Sequence, residues 1–270
     1  IVHRIPFEDW TSLSGRKLVP IVKSREARGL FESGFFPQCF SWQAGLLAES
    51  LVEQEGIDLI EAQEYEAPLY YFQLRRALGF GPKRHPPCFV HLHSPTEFIA
   101  QYNDWNIGLP AVQIAKRLED YSIAAADALL CPSRYLARQV ESHHGLTKNT
   151  AWIIPYPLGD GVMLERDKDT WEYGTICYVG RLERRKGVLE WIDAAVAVAR
   201  EYPAVRFEFV GANILGTAMM SGEEFINRRI PDDLKMRFIF HGQQKRSSLP
   251  QFLSRTRMAV VPSRWENFPN

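Results

Sequence analysis

The feature that most constrains this chain is a unit that keeps returning: a short apolar run, a polar turn, then a stretch of helical period. The apolar runs fall at Ile57–Ala62, Cys88–His93, Ala128–Cys131, Trp152–Pro155, Thr175–Gly180, Val205–Gly211, Met236–His241 and Met258–Pro262. Several are apolar almost throughout rather than alternating, the pattern of strands covered by helices on both faces. Between them, Phe40, Ala44, Leu47 and Leu51 recur at helical spacing and predict one buried stripe ending near Gly56. Pro68 suits the first turn of a second helix that Gly79 closes. Ala111–Ala126 makes a third, and Leu189, Ile192, Val196 and Ala199 line one face of a helix entered after Gly187. Strand and helix in alternation predict an α/β fold with parallel sheets.

A length of 270 residues suits two domains. The segment Tyr156–Gly174 carries glycines and charges without a period and is expected to link them, giving domains 1–158 and 159–270. Val2–Ile5 resembles a strand already under way, and no helix follows the last strand before Asn270, so both sheets are expected to be incomplete. Lys+Arg and Asp+Glu balance at 32 each, leaving no bulk field for nucleic acid or an anionic membrane. Cys39, Cys88, Cys131 and Cys177 form no C-x-x-C pair, and most sit in apolar runs, which predicts packed free thiols and a reducing, cytoplasmic setting. No apolar stretch approaches the roughly 18–20 residues of a membrane span.

In doubly wound sheets ligands bind beyond the carboxyl ends of the strands, so the residues after each apolar run carry the information. After Thr175–Gly180 come Arg181, Arg184, Arg185 and Lys186, then Gly187 and a helix. Glycine permits close backbone approach, a helix start offers free N–H groups, and Arg and Lys supply charge, a set that suits a pyrophosphate. The competing reading is a solvated basic turn; Arg184 and Arg185 in particular are expected to face solvent. No G-x-G-x-x-G and no G-x-x-x-x-G-K-[ST] is present. After Met258–Pro262 come Ser263, Arg264, Trp265 and Glu266, the glutamate standing where a carboxylate accepts hydrogen bonds from sugar hydroxyls, with a surface carboxylate as the alternative. His91 and His93 share one side of their strand and are open to three readings: a metal pair, hydrogen-bonded structural histidines, or a site histidine at the sheet's end. His143 and His144 follow a helix end and are expected to face solvent.

Taken together and in order, these segments resemble the retaining glycosyltransferases of the group 1, family 4 type. The resemblance is carried by Ile57-Asp58-Leu59-Ile60-Glu61-Ala62, Val90-His91-Leu92-His93, Ala125 through Ser133, Trp152-Ile153-Ile154-Pro155, Val179-Gly180-Arg181-Leu182 with Lys186-Gly187, Phe209-Val210-Gly211, Phe238 through Gly242, and Pro262 through Phe268. It implies the GT-B arrangement, two Rossmann-like doubly wound domains facing a cleft, with an acceptor-side first domain and a donor-binding second domain. It implies transfer of a sugar from a nucleotide-diphosphate sugar, UDP- or GDP-linked, to a hydroxyl of a sugar, lipid or other acceptor, with retention and without a metal or other cofactor. Gly180, Arg181 and Lys186 would hold the donor pyrophosphate. His93 and Glu266 would be catalytic, with Gly211, Gly242, Asn267 and Phe268 near the donor sugar and nucleotide. No nucleic-acid partner is implied, and peripheral membrane contact is compatible with the family. The sequence departs from the family pattern at Pro269 and at Tyr156, and the family's first strand and glycine-rich loop would precede Ile1. Two other readings compete: a two-lobed binding protein that clamps a small ligand without chemistry, and a nucleotide-sugar epimerase, whose acid–base set is not evident.

Overall fold

The computed structural model describes residues 30, 36–157, 159, 168–217 and 220–268; the strand expected at Val2–Ile5 and the departure at Pro269 lie outside them. The described chain forms two compact units. Unit 1 holds the residues up to Gln101, Trp105–Tyr156, and Asn267 with Phe268; unit 2 holds Tyr102–Asp104 and Pro157–Glu266.

Unit 1 contains α1 (Phe36–Glu55), β1 (Ile60–Gln63), α2 (Tyr70–Ala77), β2 (Cys88–His91), α3 (Thr96–Tyr102), α4 (Pro110–Ala124), β3 (Ala128–Cys131), α5 (Arg134–His143) and β4 (Ala151–Ile153). Its strands pair in the order β1-β2-β3-β4, all parallel, with Val90 opposite Ala62 and Leu129. Pro110 begins α4 where its missing N–H costs nothing, and Ser133 caps α5 by accepting from the Leu136 N–H at 3.2 Å. The face of α1 differs from expectation. Phe40 is exposed, while Cys39, Ser41, Gly45 and Val52 are buried. A Cβ on Gly45 would lie 3.0 Å from the Phe72 backbone nitrogen, so the glycine lets α1 and α2 approach closely and turns the helix away from the stripe through Phe40.

Unit 2 contains α6 (Lys168–Tyr173), β5 (Thr175–Val179), a 3-10 turn (Arg184–Lys186), α7 (Val188–Glu201), β6 (Phe207–Val210), α8 (Gly222–Asn227), β7 (Phe238–Phe240), α9 (Leu249–Ser254) and β8 (Thr256–Val260). The order β7-β6-β5-β8 is again wholly parallel. Its core gathers Leu189, Ile192 and Ala199 of α7 with Phe207, Phe209 and Phe238, as the helical spacing predicted. Within the segment expected to be linker, Lys168–Tyr173 is helical. All the cysteines are buried free thiols, and among the described residues no helix is long and apolar enough to cross a membrane.

Candidate functional site

In unit 2 the site residues are assembled by glycines. Gly180 ends β5 at φ 156° and Gly211 ends β6 at φ 154°. A Cβ on Gly211 would fall 1.8 Å from the Gly180 carbonyl oxygen, so the two strand ends approach only because side chains are absent. Gly187, at φ 66°, separates the 3-10 turn from α7, and a Cβ there would meet the Pro262 carbonyl at 1.9 Å. That close approach sets the basic turn against the segment following β8, where Arg264 N–H donates to the Arg185 carbonyl at 2.9 Å.

The consequence is a charged cluster around Glu266. Lys186 Nζ donates to Glu266 Oε1, and Ser263 Oγ donates to the same oxygen at 2.7 Å. Arg185 lies 3.6 Å from Oε2. Burial works against the Glu266 charge, but the bonds from Lys186 and Ser263 and the charges of Lys186 and Arg185 hold its carboxyl below the usual range. Arg181 is exposed and pairs with Glu183 at 3.1 Å. Gly242, at φ 66°, accepts from the Gly211 N–H at 2.9 Å. Thus Gly180, Arg181, Lys186, Gly211, Gly242 and Glu266 share the carboxyl-end side of one sheet.

Arg185 corrects the sequence expectation. Its side chain is only 6% exposed, with Glu183 at 3.0 Å, the Trp265 carbonyl at 3.3 Å and the Trp265 ring 5.7 Å below. Its backbone N–H donates to Asn103 at 2.9 Å, and Trp265 stacks on Tyr102 at 5.7 Å. A buried guanidinium requires partners on several sides, and apart from Glu183 these come from residues distant in sequence.

In unit 1, His93 lies just past β2 and is exposed, and its Nδ1 is 2.7 Å from the Tyr156 hydroxyl. His91 instead pairs with Glu61 at 3.1 Å. Glu61, Ala62, Gln63, His91, His93 and Tyr156 line a pocket of about 460 Å³. Asn267 Nδ2 donates to the His93 carbonyl, and Phe268 packs edge-on against Tyr156 at 5.6 Å. Asn267 and Phe268 therefore stand with His93 and Tyr156.

Sequence reasoning missed two buried carboxylates, Glu64 beneath His93 and Glu119 against Thr96 and Glu66. Glu64 accepts the His93 N–H at 2.5 Å and also the Ser94 N–H. Glu119 accepts from Thr96 N–H at 2.8 Å, Thr96 Oγ1 at 2.5 Å and Glu66 N–H at 2.9 Å. Burial pushes Glu64 up to about 8 against the pull of its backbone donors, with Glu119 adding repulsion; burial likewise pushes Glu119 up to about 7. For Glu64, a glutamate just past an apolar run was the available signal; Glu119, within α4, carried none. Of the two histidines expected to face solvent, His143 is exposed, 2.9 Å from Glu97, whereas His144 departs from expectation with its side chain 14% exposed.

Two parallel-sheet units with these strand-end turns define a GT-B type glycosyltransferase fold. The chain belongs to Glycosyltransferase Family 4, whose description matches residues 12–158, and residues 165–270 match Glycosyl transferases group 1. No curated protein matches it. Among solved structures, sucrose-phosphate synthase from Thermosynechococcus elongatus is 18% identical, covering 93% of this chain and 59% of its own, with a TM-score of 0.58. The lipopolysaccharide outer core galactosyltransferase WaaB is 15% identical, covering 85% and 56%, at 0.55. HepE from Anabaena, in complex with UDP and glucose, is 15% identical, covering 82% and 57%, at 0.52. The chain thus spans somewhat over half the length of each of these proteins.

Proposed function

We propose that the protein transfers a sugar from a nucleoside-diphosphate sugar to an acceptor hydroxyl with retention of configuration. The observation that carries this reading is the Lys186–Ser263–Glu266 cluster at the carboxyl end of β8, beside the glycine-ended β5. The UDP in the HepE structure supports a uridine diphosphate leaving group. As the bond from the anomeric carbon to the β-phosphate oxygen breaks, negative charge grows on that phosphate. Arg181, Lys186 and the unencumbered N–H groups at the start of α7 meet that charge in place of a metal. Glu266, held ionised, accepts from the sugar's hydroxyls, and His93 contacts the transferred sugar. The acceptor oxygen attacks on the face the nucleotide leaves, and its proton passes to the departing phosphate, giving retention.

The test is incubation of the intact protein with UDP-sugars and hydroxyl acceptors, with the product anomer read by NMR. The reading predicts an anomer matching the donor and a turnover rate unchanged by EDTA. An inverted product would overturn retention, and activity abolished by EDTA and restored by Mg²⁺ or Mn²⁺ would remove the roles given to Arg181 and Lys186.

A further inference from the structure

Away from the His93 pocket and the Glu266 cluster, three helices of unit 1 bring metal-ligating side chains to one place. Glu97 comes from α3, Asp120 from α4, and His143 and His144 from the end of α5. One ligand atom each from Asp120, His143 and His144 lie within 4.8 Å of one another. His143 Nε2 is 2.9 Å from Glu97 Oε2, and His144 Nε2 is 3.8 Å from Asp120 Oδ1. Ligands at the usual Zn–N and Zn–O lengths around a tetrahedral ion stand about 3.3–3.4 Å apart. Small side-chain rotations therefore bring Asp120, His143 and His144 to coordinating distance, with Glu97 already beside His143.

A cation already holds the centre. Lys116 Nζ lies 2.6 Å from Glu97, 3.3 Å from Asp120 and 3.3 Å from His143. Two carboxylates against one ammonium leave the cluster at a formal charge of −1 with neutral imidazoles. A divalent ion in place of the ammonium brings it to zero. Lys116 is 27% exposed on a flexible four-carbon stem and can swing to solvent. The last carbonyls of α5 add negative potential beside the histidines. We infer that Glu97, Asp120, His143 and His144 form a site for a late first-row transition ion, Zn²⁺ foremost, which displaces the Lys116 ammonium. Two imidazoles with carboxylates favour Zn²⁺, Co²⁺ or Ni²⁺ over Mg²⁺ and Ca²⁺. The site does not draw on the pyrophosphate chemistry, so it is structural and independent of the proposed transfer.

The test is calorimetric titration of the tag-free intact protein with Zn²⁺, with Co²⁺ absorption reporting four-coordinate geometry. The parent should bind one Zn²⁺ and gain thermal stability, and Mg²⁺ should do neither. The folded His143→Ala/His144→Ala variant should bind at least about 100-fold more weakly, the upper end of what losing even outer-shell partners costs. Asp120→Asn, which keeps the side-chain shape, should weaken binding as well, whereas Lys116→Met should tighten it several-fold. No saturable Zn²⁺ binding by the parent overturns the inference, as does binding that survives the double histidine change. Binding that arises only in Lys116→Met overturns it too, because the lysine is then the permanent occupant.

Discussion

Lys186 and Arg185 are neighbours in sequence, yet the structure gives them different work. Lys186 bonds to Glu266 at a partly open edge, while Arg185 is enclosed by Glu183, Trp265 and Glu266. If Lys186 meets the growing phosphate charge, Lys186→Ala should lower kcat about 100- to 1,000-fold, about 3–4 kcal/mol, with a smaller rise in KM. Arg181→Lys should lose part of that rate, because the fork that grips two phosphate oxygens is gone. Steady-state kinetics on both variants decides this, and equal, modest effects would mean a basic surface turn. Arg185→Ala should act first on stability. It takes the enclosed guanidinium from the buried Glu183 carboxylate and leaves it the exposed Arg181 and the Asn103 amide, so the melting transition should drop. Arg184→Ala, at a side chain 38% exposed beside Asp104, should leave that transition nearly unmoved. For His93, whose ring is exposed and bonded to Tyr156, alanine should lower turnover while the melting temperature holds. The opposite pair of results would make His93 a packing residue.

At the scale of elements, β3, β5 and β6 were legible because a covered parallel strand must be apolar on both faces, a property each residue declares for itself. The α1 face was not legible, because Gly45 owes its burial to the backbone of α2. The same logic distinguishes glycines that share a positive φ. Gly79, at 77°, has open space where a Cβ would go, whereas Gly187, at 66°, has the Pro262 carbonyl at 1.9 Å. Gly79→Ala should cost only the left-handed strain, about 1–2 kcal/mol. Gly187→Ala should cost clearly more and should also displace the loop bearing Glu266, lowering activity in the fraction that stays folded. Melts of the two variants side by side, with activity assayed below the transition, test both parts.

For the whole molecule, the Glu64 and Glu119 pair ties stability to pH. Both carboxyls sit above their ordinary value of 4.5, at about 8 and about 7, because burial disfavours their charge. Between pH 4.5 and 8 the folded chain therefore binds more protons than the unfolded chain. Their contribution to stability is complete below pH 4.5 and declines as pH rises through 7 and 8. Denaturant melts across this range should show that decline, and Glu64→Gln, which cannot ionise, should make it shallower; an unchanged slope would remove Glu64 as its source. The order of strands and helices, the parallel sheets and the strand-end positions of Gly180, Lys186, His93 and Glu266 were determined by the sequence itself, since periodicity, apolar runs and turn glycines act over a few neighbouring residues. Only the tertiary structure decided that Arg185 is enclosed, that Glu64 supports His93 and Ser94, and that Tyr156 bonds to His93. Only the tertiary structure also gathered Glu97, Lys116, Asp120, His143 and His144. The physical reason is that a charged side chain's burial depends on partners tens of residues away, and no local pattern in the chain records which partners the fold will bring.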